Sequence, residues 1–304
     1  MDAALKKILR PLYDVLVKIP LARAAIDREL HKLAAEPWSA AIVRDFLDAD
    51  CGALYGVTRD DKAGLVEQFR RNAAEIESGT SPLVHIVLAR EVLSIPPDVQ
   101  GDVIECGAWQ GASSASLSLV CSKAGRRLLV CDSFQGLPDD GMRRHTGPHT
   151  KVYGYYKEGM FSATLDQVRD NIRQYGSIDV CEFIPGFFAE SLKALDRPIA
   201  FAFLDVDLVG SMQDCLRHIW PLLVENGLIY SDDAGDMDVV RVFFDEPWWH
   251  EHLGCPAPGF VGSGCGLPLN PSASSIGYTR KVTQFHPEDW HRAPFLHYPD
   301  EEKV

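Results

Sequence analysis

Five acidic residues end or follow short apolar segments of this chain, and their positions are its main chemical signal. Glu105 lies in VIECG, Asp132 ends LLVCD, and Asp205 ends FAFLD. Asp232 and Asp233 follow a further apolar segment, LIYS. If each segment is a strand of an open parallel sheet, the strand ends meet at one edge, where ligands of such sheets bind. The pattern therefore predicts a ligand-binding crevice lined by carboxylates.

A glycine turn follows the first of these segments. Gly107 permits a tight turn, and Gly111 lets a helix start close to a ligand. The spacing is not the dinucleotide fingerprint GxGxxG, because Trp109 interrupts it. Asp132 has the position in which a carboxylate accepts the ribose hydroxyls of an adenosine, or it caps the turn that follows. Phe187 offers a ring that could stack on adenine.

Asp205, Asp232 and Asp233 form a second set at two further segment ends. Three carboxylates at one point repel each other, and Mg²⁺ prefers oxygen ligands. The pattern therefore predicts a shared Mg²⁺ site, with separate caps and surface acids as the alternative. His145 and His149 follow the second predicted strand. They are candidates to accept a proton near pH 7, or they are solvated loop residues.

The hydrophobic pattern divides the chain into three parts. Residues 1–96 have apolar residues at helical spacing and predict an N-terminal extension that caps the crevice or forms a dimer interface. Residues 97–282 alternate strands with helices, which is typical of a doubly wound α/β domain, and residues 283–304 form a polar tail. Within the domain, 254–275 is a long loop with a functional or linker role. The predicted strands are 102–106, 127–132, 179–184, 199–205, 226–231 and 275–282, and the helices between them are 112–124, 162–175, 187–195, 211–224 and 236–246.

The composition excludes several classes of protein. A formal net charge of −13 over 304 residues argues against nucleic-acid binding, because a phosphate backbone would be repelled. No apolar run reaches the roughly 18 residues of a transmembrane helix, and the first residues lack the features of a secretory signal. The 8 cysteines contain no CxxC pair, so neither a zinc site nor a redox pair is predicted. We therefore expect a reduced, cytoplasmic protein.

Five segments resemble the macrocin O-methyltransferase family: VIECGAWQGASS, CDSFQGLP, GFFAESL, FLDVDLVGS and YSDDAG. The resemblance covers roughly residues 85–235. Members of that family use S-adenosylmethionine and Mg²⁺ to methylate sugar or polyketide-linked hydroxyls in natural-product pathways. The resemblance implies a Rossmann-like class I methyltransferase fold and a small hydroxylated acceptor. We also expect a homodimer, joined through the N-terminal extension.

Carried over position by position, the resemblance implies roles for named residues. Asp132 would bind the ribose, and Asp205, Asp232 and Asp233 would hold a metal ion that lowers the pKa of the acceptor hydroxyl. The candidates for catalysis are Asp205, His145 and His149. The candidates for the cofactor site are Glu105, Gly107, Ala108, Trp109, Gly111, Ser113, Asp132, Ser133, Phe134, Gly186, Phe187 and Asp205.

The chain departs from the family's pattern at two places. Val209, Gly210 and Ser211 stand where the family usually shows an aromatic–acidic pair. Ala234 stands where a tyrosine commonly follows the paired aspartates. After about residue 236 the resemblance ends, so the acceptor cannot be inferred from the family.

Two other functions fit parts of the sequence. The run from Asp205 to Asp207 is also the DxD of glycosyltransferases that hold a nucleotide sugar through a metal ion. Such an enzyme would not need Glu105 and Asp132 at two earlier strand ends. A non-catalytic protein with a methyltransferase fold is the third hypothesis, and the departures are what loss of activity would produce.

Overall fold

A six-stranded, mostly parallel sheet forms the centre of the molecule. The computed structural model describes residues 39–139, 156–262 and 276–283. The strands are β1 (Asp102–Cys106), β2 (Leu128–Asp132), β3 (Cys181–Pro185), β4 (Ile199–Leu204), β5 (Leu223–Ser231) and β6 (Gly277–Arg280). Their order is β3-β2-β1-β4-β5-β6, and β6 alone is antiparallel to its neighbour. Because the order reverses between β1 and β4, the predicted doubly wound, Rossmann-like fold is confirmed.

The strands are apolar because the sheet is covered on both faces. Every residue of β2 and β4 is buried. Parallel strands enclosed in this way have continuous apolar sequences instead of alternating ones. Successive side chains point to opposite faces, so each strand contributes to two separate cores.

Helices of the described residues cover both faces of the sheet. They are α1 (39–48), α2 (Arg59–Glu75), α3 (Pro82–Ser94), α4 (Ala112–Lys123), α5 (Leu165–Tyr175), α6 (Phe188–Ser191), α7 (Val209–Ile219), α8 (Met237–Val242) and α9 (Glu246–Leu253). Side chains of α1 to α5 pack with Val103 and Phe201 on one face. Side chains of α7 to α9 pack with Ile104 and Ala202 on the other face. The described part of the N-terminal extension therefore shares a core with the sheet.

The helix α4, which begins at the glycine turn, is built from small residues. Its alanines and its serines, apart from the exposed Ser122, are buried between the sheet and the helices α2, α3 and α5. The approach of α5 is so close that a Cβ at Gly176 would lie 2.5 Å from Ser118 Oγ and 2.8 Å from the carbonyl oxygen of Ala115. Larger side chains on this helix would force the layers apart.

Two predicted helices differ from the observed ones. The predicted helix 211–224 ends earlier, because α7 gives way to a 3₁₀ turn at Trp220–Leu222 and β5 begins at Leu223. The predicted helix 187–195 is the short α6 followed by a 3₁₀ turn, Leu192–Ala194. The helix α9 was not predicted, although Asp245 caps its start through the backbone N–H of Trp248.

Several predictions fall outside the described residues. These are the first two helical segments of the extension, the loop residues His145 and His149, positions 263–275 and the tail after residue 283. Among the described residues, none of the helices has the length and apolar character needed to cross a membrane. The proposed domain boundary at 96/97 stays a prediction.

A buried polar network joins α2, α3 and α4. His85 Nε2 lies 2.8 Å from Thr80 Oγ1, and its Nδ1 lies 3.0 Å from Ser116 Oγ. Ser116 donates its own proton to the carbonyl oxygen of Ala112 and accepts from the Asn72 amide. The Nδ1 atom of His85 must therefore carry the proton that reaches Ser116. Burial lowers the pKa of His85 to about 4.

This network makes stability depend on pH. Below its ordinary pKa of 6.5, His85 takes up a proton more readily in the unfolded chain, so the folded protein loses stability as pH falls to about 4. Relative to His85→Gln, we expect wild type to lose about 3 kcal/mol between pH 7 and 4, as measured by urea unfolding. The solvent-exposed His250 provides the control, His250→Gln. A difference between wild type and His85→Gln that stays constant with pH would contradict this assignment.

Candidate active site

A cleft opens at the carboxyl ends of β1 and β4, where the strand order reverses. It encloses about 660 Å³ of empty space, a volume that includes open solvent at its mouth. Loops that follow β1, β2, β3 and β4 all contribute to its walls. The lining residues are Gly79, Gly107, Trp109, Asp132, Ser133, Gly136, Leu137, Pro138, Phe161, Phe187, Phe188, Asp205, Val206, Asp207 and Ser211.

The turn at Gly107 brings the loops after β1 and β4 into contact. Gly107 has φ 90°, and a Cβ there would lie 1.8 Å from the carbonyl oxygen of Asp205. The backbone N–H of Asp205 donates to the carbonyl oxygen of Cys106, and that of Gly107 donates to Cys131, each at 2.9 Å. No residue with a side chain fits this position, so the glycine that the sequence singled out is required by both space and conformation.

Glu105 precedes this turn and is fully buried. Ser114, in the first turn of α4, donates a hydrogen bond to its Oε2 atom, whereas Oε1 has no hydrogen-bond partner among the described residues. Burial raises the pKa of Glu105 to about 7, and hydrogen bonds from Ser113 and Ser114 oppose that rise. A buried acceptor without a donor is costly, so a ligand that donates a hydrogen bond would fit here.

Asp132, at the end of β2, is surrounded by backbone amides. Its Oδ2 atom accepts from Ala108 at 2.7 Å and from Trp109 at 3.1 Å, and its Oδ1 atom accepts from Phe134 at 2.7 Å. Burial raises the pKa of Asp132, and these amides oppose the rise. The Phe134 contact is the capping interaction that the sequence left as the alternative role of this residue.

An acidic cluster lies on the other side of the cleft. Carboxylate oxygens of Asp205, Asp207 and Asp233 all lie within 4.8 Å of one another. Burial and the neighbouring carboxylates raise the pKa values of Asp205 and Asp233 well above the ordinary range. Asp232 is not a member of this cluster, but its charge is the largest carboxylate contribution to the raised pKa of Asp205. A divalent cation would relieve the repulsion, so the donor set fits a hard metal ion.

Aromatic side chains connect the glycine turn to this cluster. The rings of Trp109 and Phe161 meet edge to face at 5.2 Å, and Tyr156 approaches Phe161 at 6.4 Å. The Tyr156 hydroxyl bonds to the carboxylate of Asp207, and burial together with nearby carboxylates raises its pKa well above the ordinary value. The phenol therefore stays protonated and donates a hydrogen bond to the carboxylate of Asp207.

Backbone strain is concentrated around the cleft. Asn226, in β5, is a left-handed non-glycine residue remote from it, with φ 63°. The other described residues of this kind all lie in loops at the cleft: Trp109 (φ 43°), Phe134 (φ 55°), Phe161 (φ 57°) and Asp207 (φ 60°). Such conformations are unfavourable and persist where the surrounding structure fixes them, most often at functional sites.

The structure brings most of the predicted cofactor residues to the cleft. Those that line it are Gly107, Trp109, Asp132, Ser133, Phe187 and Asp205. The others occupy the same turns and strand ends: Glu105, Ala108, Gly111, Ser113, Phe134 and Gly186. The predicted site lacked Gly79, Phe161 and Ser211, which also line the cleft. Phe161 ends an aromatic-rich run, so its place in the cleft could have been predicted from the sequence. No sequence signal indicates that Gly79 lines the cleft.

The start of α7 has room where the chain departs from the family's pattern. A Cβ at Gly210 would meet no atom within 4 Å. Ser211 follows it in α7 and lines the cleft. The departing segment therefore includes one position with open space and one that lines the cleft.

Comparison with known proteins finds a family whose model matches more than half of the chain. Residues 85–255 match the family described as Macrocin-O-methyltransferase (TylF). The 8-demethyl-8-(2,3-dimethoxy-alpha-L-rhamnosyl)-tetracenomycin-C 4'-O-methyltransferase of Streptomyces olivaceus is 35% identical over 140 residues, which are 44% of this chain and 53% of that protein. Demethyldecarbamoylnovobiocin O-methyltransferase of Streptomyces niveus is 29% identical over 141 residues, 45% of this chain and 53% of that protein.

A third relative aligns over a longer stretch. Mycinamicin III 3''-O-methyltransferase of Micromonospora griseorubida is 29% identical over 206 residues, which are 63% of this chain and 79% of that protein. The chain spans about half the length of the first two curated relatives.

The buried carboxyl of Glu105 gives the ligand-free protein a second pH dependence. Because its folded pKa of about 7 exceeds the ordinary 4.5, the folded chain holds the proton longer and loses stability as pH rises between these values. Relative to Glu105→Gln, we expect wild type to lose on the order of 3 kcal/mol from pH 4.5 to 7.5, as measured by urea unfolding.

The control for this measurement is Glu182→Gln. Arg197 and Arg127 hold the pKa of Glu182 below its usual range, so wild type should gain stability over this variant as pH rises toward 4.5. The assignment of Glu105 fails if the difference between wild type and Glu105→Gln does not change between pH 4.5 and 7.5.

Proposed function

The chain belongs to the macrocin O-methyltransferase family, and we propose that it transfers the methyl group of S-adenosylmethionine to a hydroxyl of a small molecule. The observation that carries this proposal is that the family match and the cleft coincide. Glu105, Asp132 and Asp205 all lie within the matched residues 85–255 and at adjacent strand ends of one cleft.

The acceptor in this proposal is a sugar or another hydroxylated, natural-product-like molecule. The names of two relatives support this class, since one methylates a rhamnosyl tetracenomycin at its 4' position and another methylates mycinamicin III at its 3'' position. The cleft of this chain also suits such a ligand. The rings of Trp109 and Phe161 can cover its apolar surface, while Asp207 and Ser211 offer polar groups to its hydroxyls.

In the same proposal, the ends of β1 to β3 bind the cofactor, which when bound supplies an electrophilic methyl group. The Oε1 atom of Glu105 is the buried acceptor that a donor of the ligand would satisfy. Gly107 keeps the turn free of a side chain, and Phe187, which is 41% exposed, offers a ring to the adenine. Asp132 holds the two turns that border this part of the cleft.

A divalent cation, with Mg²⁺ as the best fit, would be held by Asp205, Asp207 and Asp233. When bound, the ion would lower the pKa of an acceptor hydroxyl and orient it. Asp205 and Asp233 belong to the set predicted from the sequence, and Asp207 replaces Asp232 as the third carboxylate. Tyr156 donates to Asp207 and so fixes its side chain beside the site.

Methyl transfer also needs a group that takes the proton of the acceptor hydroxyl. As the new oxygen–carbon bond forms and the sulfur–carbon bond breaks, that proton must pass to a base on the protein or to water. Burial and the neighbouring carboxylates raise the pKa of Asp205, which makes this carboxylate more basic and one candidate to take the proton. His145 and His149 remain the other predicted candidates.

The two competing hypotheses predict different uses of the cleft. A glycosyltransferase would use Asp205 and Asp207 for a nucleotide sugar, but the named relatives are O-methyltransferases. A non-catalytic protein would bind the cofactor without methylating any acceptor. The cytoplasmic location and the homodimer remain predictions from the sequence.

The first test is calorimetric titration with S-adenosylhomocysteine, with and without Mg²⁺. We expect micromolar binding, about −8 kcal/mol, because the cleft offers buried hydrogen-bond acceptors and a ring for the adenine. Uridine diphosphate glucose serves as the control ligand and should not bind. Binding of the nucleotide sugar with none of S-adenosylhomocysteine would replace the methyltransferase proposal with the glycosyltransferase one.

The second test concerns the cation and uses Mn²⁺, whose binding is followed by electron paramagnetic resonance. We expect Asp207→Asn to weaken Mn²⁺ binding by at least about tenfold, because it removes one charged ligand from the cluster. Asp232→Asn is the matched control and should keep the affinity within roughly threefold. The opposite result would restore Asp232 as the third ligand, and wild-type protein that binds no Mn²⁺ would exclude the cation site.

A further inference from the structure

Gln110, in the turn after β1, joins that turn to two other parts of the chain. Its Nε2 atom donates a hydrogen bond to the carboxylate of Glu77 at 2.9 Å, and its Oε1 atom accepts one from Gln167 at 3.4 Å. Its backbone carbonyl oxygen accepts from the side chain of Asn171 at 2.8 Å. Glu77 lies between α2 and α3, whereas Gln167 and Asn171 belong to α5. A single residue therefore connects the turn to α5 and to the segment 76–81.

Each of the connected parts contributes a residue to the wall of the cleft. Trp109 directly precedes Gln110, and Gly79 lies in the same short segment as Glu77. Phe161, which precedes α5, also lines the cleft, and its ring meets that of Trp109 at 5.2 Å. Gln110 is not one of the lining residues, so its side chain can influence a bound ligand only through the parts that it connects.

The turn is held differently on its two sides. Towards α5 it is tightly packed, because a Cβ at Gly111 would lie 3.0 Å from the side chain of Val168. Towards the segment 76–81 the packing is open, since a Cβ at Gly79 would meet no atom within 4 Å. The hydrogen bond from Gln110 to Glu77 therefore supplies, on the open side, a restraint that packing supplies on the other.

The two ends of the segment 76–81 are anchored elsewhere. Ile76 is buried, and its backbone N–H donates to the carbonyl oxygen of Asn72 in α2 at 2.9 Å. At the other end, the hydroxyl of the buried Thr80 lies 2.8 Å from Nε2 of His85 in α3. Glu77 and Gly79 lie between these anchors and are exposed. The part of the segment that reaches the cleft is thus the part that Gln110 holds.

We propose that Gln110 is a positioning residue that holds the segment 76–81 against the turn after β1 and so fixes the spacing of Gly79 and Trp109 in the cleft. This inference rests on the proposed function, because a ligand bound on the cofactor side of the cleft is what would register that spacing. The carboxylate of Glu77 makes the hydrogen bond charge-assisted, which strengthens it relative to a bond between two neutral groups.

Loss of this bond should weaken ligand binding more than folding. An exposed polar contact contributes little to the free energy of unfolding, because water replaces the lost partner. A ligand that contacts both walls must restore their spacing when it binds, and the cost of that ordering lowers its affinity. We therefore expect variants of Gln110 to fold like wild type and to bind the cofactor less tightly.

The deciding experiment exchanges the two groups of the pair. Gln110→Glu places a second carboxylate beside Glu77, and adding Glu77→Gln restores a donor and an acceptor at the net charge of wild type. In calorimetric titrations with S-adenosylhomocysteine, we expect Gln110→Glu to lower the affinity about tenfold. The double variant should return to within about threefold of wild type.

The matched control combines Gln110→Glu with Glu75→Gln. Glu75 is an exposed residue at the end of α2, so its replacement removes the same charge without restoring the hydrogen bond of the pair. The affinity of this control should stay low. If Gln110→Glu binds like wild type, or if Glu75→Gln restores binding as well as Glu77→Gln does, Gln110 does not position the site.

Hydrogen exchange of the ligand-free protein gives a second measurement that does not depend on the cofactor. We expect Gln110→Glu to speed amide exchange in the segment 76–81 at least about threefold, because local opening is easier once the pair is lost. The exchange rates should return towards wild type when Glu77→Gln is added, while the buried amides of β4 stay unchanged in all variants. Exchange in 76–81 that does not respond to Gln110→Glu would contradict the positioning role.

Failure of the proposed function and failure of the positioning role give different results. If wild type does not bind S-adenosylhomocysteine, the proposed function is wrong, and hydrogen exchange still tests whether Gln110 holds the segment. If wild type binds but the exchanged pair does not recover affinity, the function stands and the role assigned to Gln110 is wrong.

Discussion

The contact between Gly107 and the backbone of Asp205 is the constraint on which the rest of the site depends. The two loops leave β1 and β4 in opposite directions, yet they touch so closely that a Cβ at Gly107 would lie 1.8 Å from the carbonyl oxygen of Asp205. This contact closes the base of the cleft. It also fixes the turn from which Trp109 projects and from which α4 begins. A shift of either loop would displace the walls on both sides of the cleft.

The second constraint is electrostatic, because carboxylates of like charge surround a partly dry cleft. These carboxylates differ in the hydrogen-bond donors that surround them. Asp132 and Asp233 are held by backbone amides, and Glu105 is held by hydroxyls of α4. Asp205 and Asp207 lie close to Asp233, and burial together with the neighbouring carboxylates raises the pKa of Asp205. A site arranged in this way stores unfavourable energy that a bound cation or ligand would release.

The sequence predicts the strands and the cleft well because both depend on local patterns. Apolar runs that end in an acid mark β1, β2 and β4, and the family resemblance orders them into one sheet. The acidic cluster was harder to predict, because the left-handed backbone of Asp207 brings its carboxylate to Asp205 and Asp233, and the sequence marked Asp207 only through the alternative DxD motif. Neither could the sequence decide between the two roles of Asp132, since its neighbours Ala108 and Phe134 act through backbone amides and not through side chains. Gly79 reaches the cleft by the packing of α2 and α3 alone.

The two helices that follow β1 and β4 differ in how much space surrounds them. The buried serines and alanines of α4 leave no room for larger groups, so this helix has little freedom to vary without disturbing the Gly107 turn. The start of α7 is different, since a Cβ at Gly210 would enter open space. Engineering of this scaffold should therefore begin at Gly210 and leave α4 untouched.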